Sequence, residues 1–161
     1  MAIDTIESRL AAAVSRSNIR IAGPSSDDYH ELIVRWSVMA EKRAVRFLYA
    51  ILVHDPSKSI QAAIALPKTE EEVSQCVKAC RDLNLDFVVC GGRHNPAGSS
   101  SSENGVVIDL RMMRQVTVDP DAKTIIAEGG CLWADVDEEA AKYDLCTVGG
   151  KATLLVLHEL L

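Results

Sequence analysis

The feature of this sequence that most constrains its fold is a long glycine- and serine-rich segment between two short apolar runs. The run FVVC ends at Cys90, the segment GGRHNPAGSSSSENG covers 91–105, and VVIDL follows at once. Short apolar runs bounded by glycine favour buried strands. A loop this long with small side chains is uncommon in a compact domain unless a ligand has to fit against its backbone.

The residues around this segment predict alternating strands and helices. We expect strands at 62–66, 87–90 and 106–110, helices at 70–83 and 132–143, a hairpin of 115–118 with 124–128, and a strand beginning at 146–148. Pro67-Lys68-Thr69 should cap the first helix, with Val73, Cys76, Val77 and Cys80 on its apolar face. The strand–helix–strand crossover gives parallel strands and the hairpin adds antiparallel ones, so the predicted fold class is α+β.

The N-terminal part of the chain is less regular. Its spacing predicts helices at 3–14 and 29–41, separated by a polar turn at 24–28. The segment 44–61 holds an apolar run and then a turn, and we assign it no regular element. We therefore divide the chain into a helical region with an atypical insert at 1–61, a main domain at 62–150 and a tail at 151–161.

Charge and hydropathy exclude some classes of partner. The net charge is −6 without a lysine or arginine cluster, so we expect no nucleic-acid partner. The longest apolar run, 47–53, is far too short to span a bilayer. The N-terminus has acidic residues and no apolar core of a secretory signal. We expect no membrane partner and take a cytoplasmic location as the default.

The glycine-rich loop has a chemistry that its residues predict on their own. Successive backbone N–H groups in such a turn can point into one hollow and bind an anion, and Gly91 and Gly92 allow positive φ and close approach of a ligand. Arg93 and the serines at 99–102 add further donors. The loop is neither a P-loop nor a Rossmann fingerprint. A phosphate-binding loop and a flexible solvated loop, with His94 simply exposed, both remain open at this point.

A zinc site is the third interpretation. Cys76 and Cys80 lie one helical turn apart, and Cys90 and His94 follow, which supplies three thiols and an imidazole. However, Cys76 and Cys80 fall on the apolar face of a helix, where a free thiol behaves as a small hydrophobe. The five cysteines, odd in number and irregularly spaced, do not indicate a disulfide framework either. We expect no metal and keep a zinc-binding interaction domain as the least favoured alternative.

Several segments resemble, in order, the FAD-binding domain of PCMH-type flavoproteins, the vanillyl-alcohol oxidase superfamily. They are ALPKTEEEVSQCVKAC at 65–80, the stretch from FVVCGGRHNPAGSSSSENGVVIDL through LWADVDEEAAKYDL at 87–145, and TVGG at 147–150. The chain is most similar to the berberine-bridge-enzyme-like and 6-hydroxynicotine-oxidase-like oxidoreductases of that superfamily. The resemblance implies a PCMH-type fold over 62–150, incomplete at its C-terminus.

The resemblance also implies a cofactor site. The residues that would wrap the FAD pyrophosphate are Gly91, Gly92, Arg93, His94, Asn95, Gly98 and Ser99, and Gly149 and Gly150 would begin a stretch along the flavin ring. In many members the histidine at the position of His94 is bonded covalently to the flavin 8α-methyl. Many relatives have a third glycine where this chain has Arg93. Cys131 and Cys146 do not match the second flavin-linking cysteine of some relatives and are interpreted as core or loop residues.

The activity implied by the resemblance is hydride transfer from an alcohol, amine or sugar to the flavin, with O2 as the usual acceptor. In relatives the substrate domain and the catalytic base lie downstream of the matched region, so the sequence assigns no catalytic residue. A small-molecule substrate is therefore expected only in a full-length form. The chain is interpreted as a truncated oxidoreductase, through a frameshift or a misread gene. The alternative is a non-catalytic FAD-binding fragment without turnover of its own.

Overall fold

The computed structural model describes residues 5–34, 63–95, 97–102 and 105–149. In chain order its elements are α1 (Ile6–Ala13), β1 (Arg20–Ala22), α2 (Tyr29–Ile33), β2 (Ala63–Leu66), α3 (Glu70–Asp82), β3 (Phe87–Cys90), β4 (Val106–Asp109), a 3-10 turn (Leu110–Met112), β5 (Val116–Asp119), β6 (Thr124–Ala127) and α4 (Trp133–Ala141). Within these residues no helix is long and apolar enough to cross a membrane.

Four of the strands form one sheet in the order β1-β2-β4-β3. β2 and β3 both run parallel to β4, which lies between them, and β1 is antiparallel to β2. Because α3 connects β2 to β3, this part of the chain is the predicted strand–helix–strand crossover. The predicted α+β fold class, with mixed strands and flanking helices, is confirmed.

The sheet is covered on both faces, as the continuous apolar sequences of its central strands require. One core contains Leu10 of α1, Cys76 and Cys80 of α3, and Val106 and Ile108 of β4. The core on the opposite face is formed by the strand residues Ala22, Ile64, Leu66, Cys90 and Val107 together with Tyr29 and Leu32 of α2. Two helices therefore pack on one face and α2 on the other.

The helix α3 begins where its sequence predicts. The Thr69 hydroxyl accepts a hydrogen bond from the Glu72 amide at 3.2 Å, which satisfies one of the free N–H groups of the first turn. Glu70, Glu71 and Glu72 in that turn interact favourably with the helix dipole.

The hairpin predicted around Asp119-Pro120-Asp121 is present as β5 and β6, and α4 packs against it. The hairpin connects to the sheet through the 3-10 turn, where the Gly130 amide donates to the Met113 carbonyl at 2.9 Å. A Cβ on Gly130 would lie 1.8 Å from the carbonyl oxygen of Leu110, so this close backbone approach requires glycine.

Several predicted elements differ from the structure. The strand β1 was not predicted, because Arg20–Ala22 is too short to show a period. The strand β3 was expected to be buried, but Phe87 and Val89 are each 40% exposed because β3 is an outer strand. Val77 is also 36% exposed, at the margin of the apolar face of α3.

The remaining differences lie at or near the limits of the described residues. Residues 146–148 form no strand in the described structure, since no described strand lies beside them. The first predicted helix begins at Ile6 and the second is described as Tyr29–Ile33. The predictions for 35–62, including the segment 44–61, and for Gly150 and the tail lie outside the described residues.

Candidate functional site

The glycine-rich segment connects two adjacent parallel strands. It leaves the carboxyl end of β3 at Cys90 and returns to the start of β4 through Gly105. Its described residues between 91 and 102 belong to no helix and to no sheet ladder. In open α/β sheets ligands bind at the carboxyl ends of the strands, and Gly91 and Gly92 lie at that edge.

The first turn of the loop has a left-handed residue. Arg93 has φ of 67°, and Gly98 further along has φ of 74°. The glycine pair allows positive φ, but among the described glycines it occurs at Gly98. Left-handed backbone costs an ordinary side chain energy, so Arg93 occupies a position that favours glycine. This is the position at which many members of the resembled superfamily have a third glycine.

The second part of the loop folds on itself. The Asn95 side-chain oxygen accepts a hydrogen bond from the Ala97 amide at 2.9 Å, and the Asn95 carbonyl accepts one from Gly98 at 3.3 Å. The Gly98 carbonyl in turn accepts from the Ser101 amide at 3.1 Å. The amides of Ala97, Gly98 and Ser101 therefore donate hydrogen bonds within the loop.

The amides at the start of the loop are differently placed. Within the described residues, those of Gly91 and Gly92 donate no hydrogen bond to a backbone carbonyl. Anion-binding nests have one residue in the left-handed region, and Arg93, directly after the glycine pair, is left-handed. The arrangement fits a phosphate or pyrophosphate group.

The return of the loop is fixed by close backbone contacts. A Cβ on Gly105 would lie 2.4 Å from the carbonyl oxygen of Asp86, so the chain can pass there only as glycine. The Gly105 amide donates to the Ser102 hydroxyl at 2.9 Å, and the Val106 amide donates to the Asp86 carbonyl at 2.8 Å. The return of the loop is thereby held beside the start of β3.

A charged pair that was not predicted from the sequence lies next to the loop. Asp109 at the end of β4 is fully buried, and Arg111 donates to its carboxylate from Nη2 at 2.7 Å and from Nε at 3.0 Å. The signal available in the sequence was an aspartate ending an apolar strand with an arginine two residues later, a pattern that also occurs in ordinary caps.

The other predicted site residues lie in two places. His94 is half-buried in the first part of the loop, together with the glycine pair and Arg93. In its second part Asn95 is half-buried and Ser99 is exposed. Gly149 lies against the indole of Trp133 at the start of α4, where an added Cβ would be 2.8 Å from the ring. Within the described residues the buried Trp133 Nε1 has no hydrogen-bond partner.

The cysteines do not assemble the zinc site that was considered. Cys76 and Cys80 belong to the core on one face of the sheet and Cys90 to the core on the other, so these three thiols cannot share one ion. Burial raises the pKa of Cys76 to about 12, which favours the protonated thiol. Cys131 is buried in the core and Cys146 is exposed.

Comparison with known proteins shows that this loop lies inside a region that matches a protein family. Residues 61–151, more than half of the chain, match the family model described as "FAD binding domain". The FAD-linked oxidoreductase pgmH of Aspergillus terreus is 33% identical over 127 residues, which are 78% of this chain and 22% of the relative. The chain therefore spans about a fifth of the length of this curated relative.

Solved structures agree on the fold. The structure is similar to 6-hydroxy-D-nicotine oxidase from Arthrobacter nicotinovorans, with a TM-score of 0.69, 22% identity, and coverage of 86% of this chain and 27% of the other. It is also similar to glucooligosaccharide oxidase from Acremonium strictum, which carries a 6-S-cysteinyl, 8α-N1-histidyl FAD, with a TM-score of 0.72, 15% identity, and coverage of 92% and 28%. With the family match and the loop geometry together, this chain belongs to the FAD-binding domain family, and its cofactor is FAD.

Proposed function

We propose that this chain is the cofactor-binding part of an FAD-linked oxidoreductase that transfers hydride from an alcohol, amine or sugar to the flavin, with O2 as the acceptor. The relatives named above are oxidoreductases and oxidases, and the chain corresponds to about a fifth of the length of one of them. When bound, the flavin supplies the redox chemistry, and the protein binds and orients it.

The observation that carries the proposal is the glycine-rich loop at the carboxyl edge of two parallel strands, inside the region that matches the family. We assign the pyrophosphate to its first part, where the Gly91 and Gly92 amides and the left-handed Arg93 lie. Arg93, Asn95, Gly98 and Ser99 complete the set of residues assigned to the cofactor. The turn that Asn95 and Gly98 form supports the shape of the loop.

We further propose His94 as the covalent attachment point of the flavin. His94 directly follows Arg93, so the turn that would hold the pyrophosphate also sets the position of the imidazole. A histidyl linkage to FAD occurs in the structurally similar glucooligosaccharide oxidase. Attachment through an imidazole nitrogen requires a neutral ring that can act as a nucleophile.

The flavin ring is assigned to Gly149 and Gly150 together with His94. Gly149, which lies against Trp133, and Gly150 would line one edge of the ring. The domain boundaries proposed for this function remain 62–150, preceded by the region 1–61. That preceding region also contributes β1 to the same sheet, so residues 20–22 would be needed for a stable domain.

The test is a titration of the 161-residue chain with FAD, in which binding is measured by the quenching of flavin fluorescence. We expect saturable binding in the wild type and at least a tenfold loss in Gly92→Glu, because a carboxylate in the nest repels the pyrophosphate. The matched control is Ser74→Glu, which adds the same charge at an exposed position on α3. No saturable binding by the wild type would refute the proposal and favour a solvated loop.

A further inference from the structure

A buried carboxylate lies beside the loop to which the pyrophosphate is assigned. Asp109 ends β4 with no exposed surface, and its register partner on β3 is Cys90, the residue before Gly91. Neighbouring strands are about 4.8 Å apart, so Asp109 lies one strand spacing and one residue from the start of the loop. An uncompensated negative charge at such a distance opposes the binding of an anion.

Arg111 supplies the compensating charge with well-defined geometry. Its guanidinium donates to both carboxylate oxygens of Asp109, at 2.7 and 3.0 Å, and its backbone amide donates to the same carboxylate at 3.0 Å. The fork-to-fork arrangement is the strong form of an ion pair. Nη2 of Arg111 also donates to the carbonyl of Leu32 at 2.9 Å, which fixes the guanidinium against the end of α2.

A second ion pair extends this network away from the loop. Asp28 precedes α2 and pairs with Arg20 of β1 at 2.5 Å. The hydrogen bond from Arg20, with a smaller electrostatic contribution from Arg111, holds the pKa of Asp28 below its usual value. The four side chains carry two positive and two negative charges, so their sum is zero only while Arg111 is present.

We propose that Arg111 is a positioning residue for FAD binding, which neutralises Asp109 so that the adjacent loop accepts the cofactor's pyrophosphate. This inference rests on the proposed function. The assigned role of Arg111 is exerted through Asp109. The net charge of the Asp109–Arg111 pair therefore sets the affinity for the phosphate-bearing flavin. This effect is separate from the contribution of the pair to folding.

Three variants of the full chain, titrated with FAD and with riboflavin, test the proposal. Arg111→Gln should weaken FAD binding roughly tenfold and leave riboflavin, which has no phosphate, within about twofold. Arg111→Lys should keep FAD binding within about threefold, since it keeps the charge but not the fork. Asp109→Asn should bind FAD as tightly as the wild type or more tightly, although loss of the ion pair lowers its melting temperature.

A purely structural role gives a different pattern. It predicts that Asp109→Asn and Arg111→Gln both lose FAD affinity in proportion to their loss of thermal stability, and that result overturns the inference. If Arg111→Gln does not fold, the comparison of Asp109→Asn with the wild type still decides, because weaker FAD binding by Asp109→Asn contradicts the proposed charge effect. A wild type that binds no FAD refutes the proposed function and this inference together.

Discussion

Arg93 is a non-glycine residue with a left-handed backbone in the described part of the loop. A left-handed conformation costs a non-glycine residue about 1–2 kcal/mol, and Arg93 adopts it between the glycine pair and His94. Strain of this kind clusters at ligand-binding turns, where the surrounding structure enforces it. The left-handed turn at Arg93 thus supports the assignment of the first part of the loop to the cofactor.

His94 gives a prediction at the same scale. If His94 holds the flavin covalently, denatured and precipitated wild-type protein retains flavin fluorescence, and His94→Ala releases it completely. The reason is that an alanine side chain has no nucleophile to bond the flavin. The measurement is in-gel fluorescence after denaturing electrophoresis of protein isolated with bound flavin.

The matched control is His30→Ala, since His30 is an exposed histidine on α2, on a different element from the loop. It should retain the linkage fully. Flavin that stays attached in His94→Ala, or that is released from the denatured wild type, would show that His94 is not the attachment point.

At the scale of elements, Asp135 connects α4 to the segment before the hairpin. Its carboxylate accepts a hydrogen bond from the Leu132 amide at 2.7 Å, where it caps the helix, and from Nε of Arg114 at 3.0 Å. Burial alone would raise the pKa of Asp135, but the hydrogen bonds from Arg114 and Leu132 outweigh it, so the pKa is lowered. One side chain thus fixes both the start of α4 and its position on β5.

We predict that Asp135→Asn lowers the free energy of unfolding by about 1 kcal/mol at pH 7. Because the pKa of Asp135 is lower in the folded state, the stability it adds is present above the unfolded value of about 4 and is lost as the pH falls through the folded value. Urea denaturation should therefore show a difference in the free energy of unfolding between wild type and Asp135→Asn that is smaller near pH 3 than at neutral pH. Asp137→Asn, at an exposed position of the same helix, should change little at either pH; an equal loss there would contradict the capping role.

The elements that the sequence predicted share a local signal. Thr69 caps α3, and Asp119-Pro120-Asp121 turns the hairpin, so each boundary is encoded within a few residues. By contrast, β1 depends on pairing with β2, more than 40 residues later in the chain, and its own three residues carry no period. The exposure of Phe87 and Val89 depends on strand order, which local periodicity does not encode.

For the candidate site, too, the sequence predicts the local features but not those that depend on tertiary packing. The glycine pair and the serines mark the loop because glycine allows a ligand to approach the backbone closely. The placement of positive φ at Arg93, and the pairing of Asp109 with Arg111 and the Leu32 carbonyl, arise from tertiary packing. No spacing rule in the sequence joins Leu32 to Arg111, which lie 79 residues apart.

At the scale of the whole molecule, the described part leaves apolar surface uncovered. Phe87 and Val89 lie on the outer strand β3, Ile126 is 72% exposed on the hairpin, and Val148 is 97% exposed. Exposed apolar patches next to open strand edges favour association with other surfaces. The chain alone should therefore associate at high concentration, a tendency that bound FAD would reduce to the extent that it stabilises the folded domain.

The 161-residue chain is expected to bind FAD without oxidase turnover. Turnover requires an enclosed flavin ring, a substrate facing its N5 atom, and a base within hydrogen-bond reach of the departing proton. The described residues offer the loop after β3 and Gly149 beside Trp133, and the sequence assigns no catalytic base. The test is to reconstitute the chain with FAD and screen alcohols, amines and sugars for peroxide release, with free FAD and the Gly92→Glu variant as background. Steady peroxide release above both backgrounds would show that these residues alone complete an active site, and the assignment of substrate and base to other residues would then be wrong.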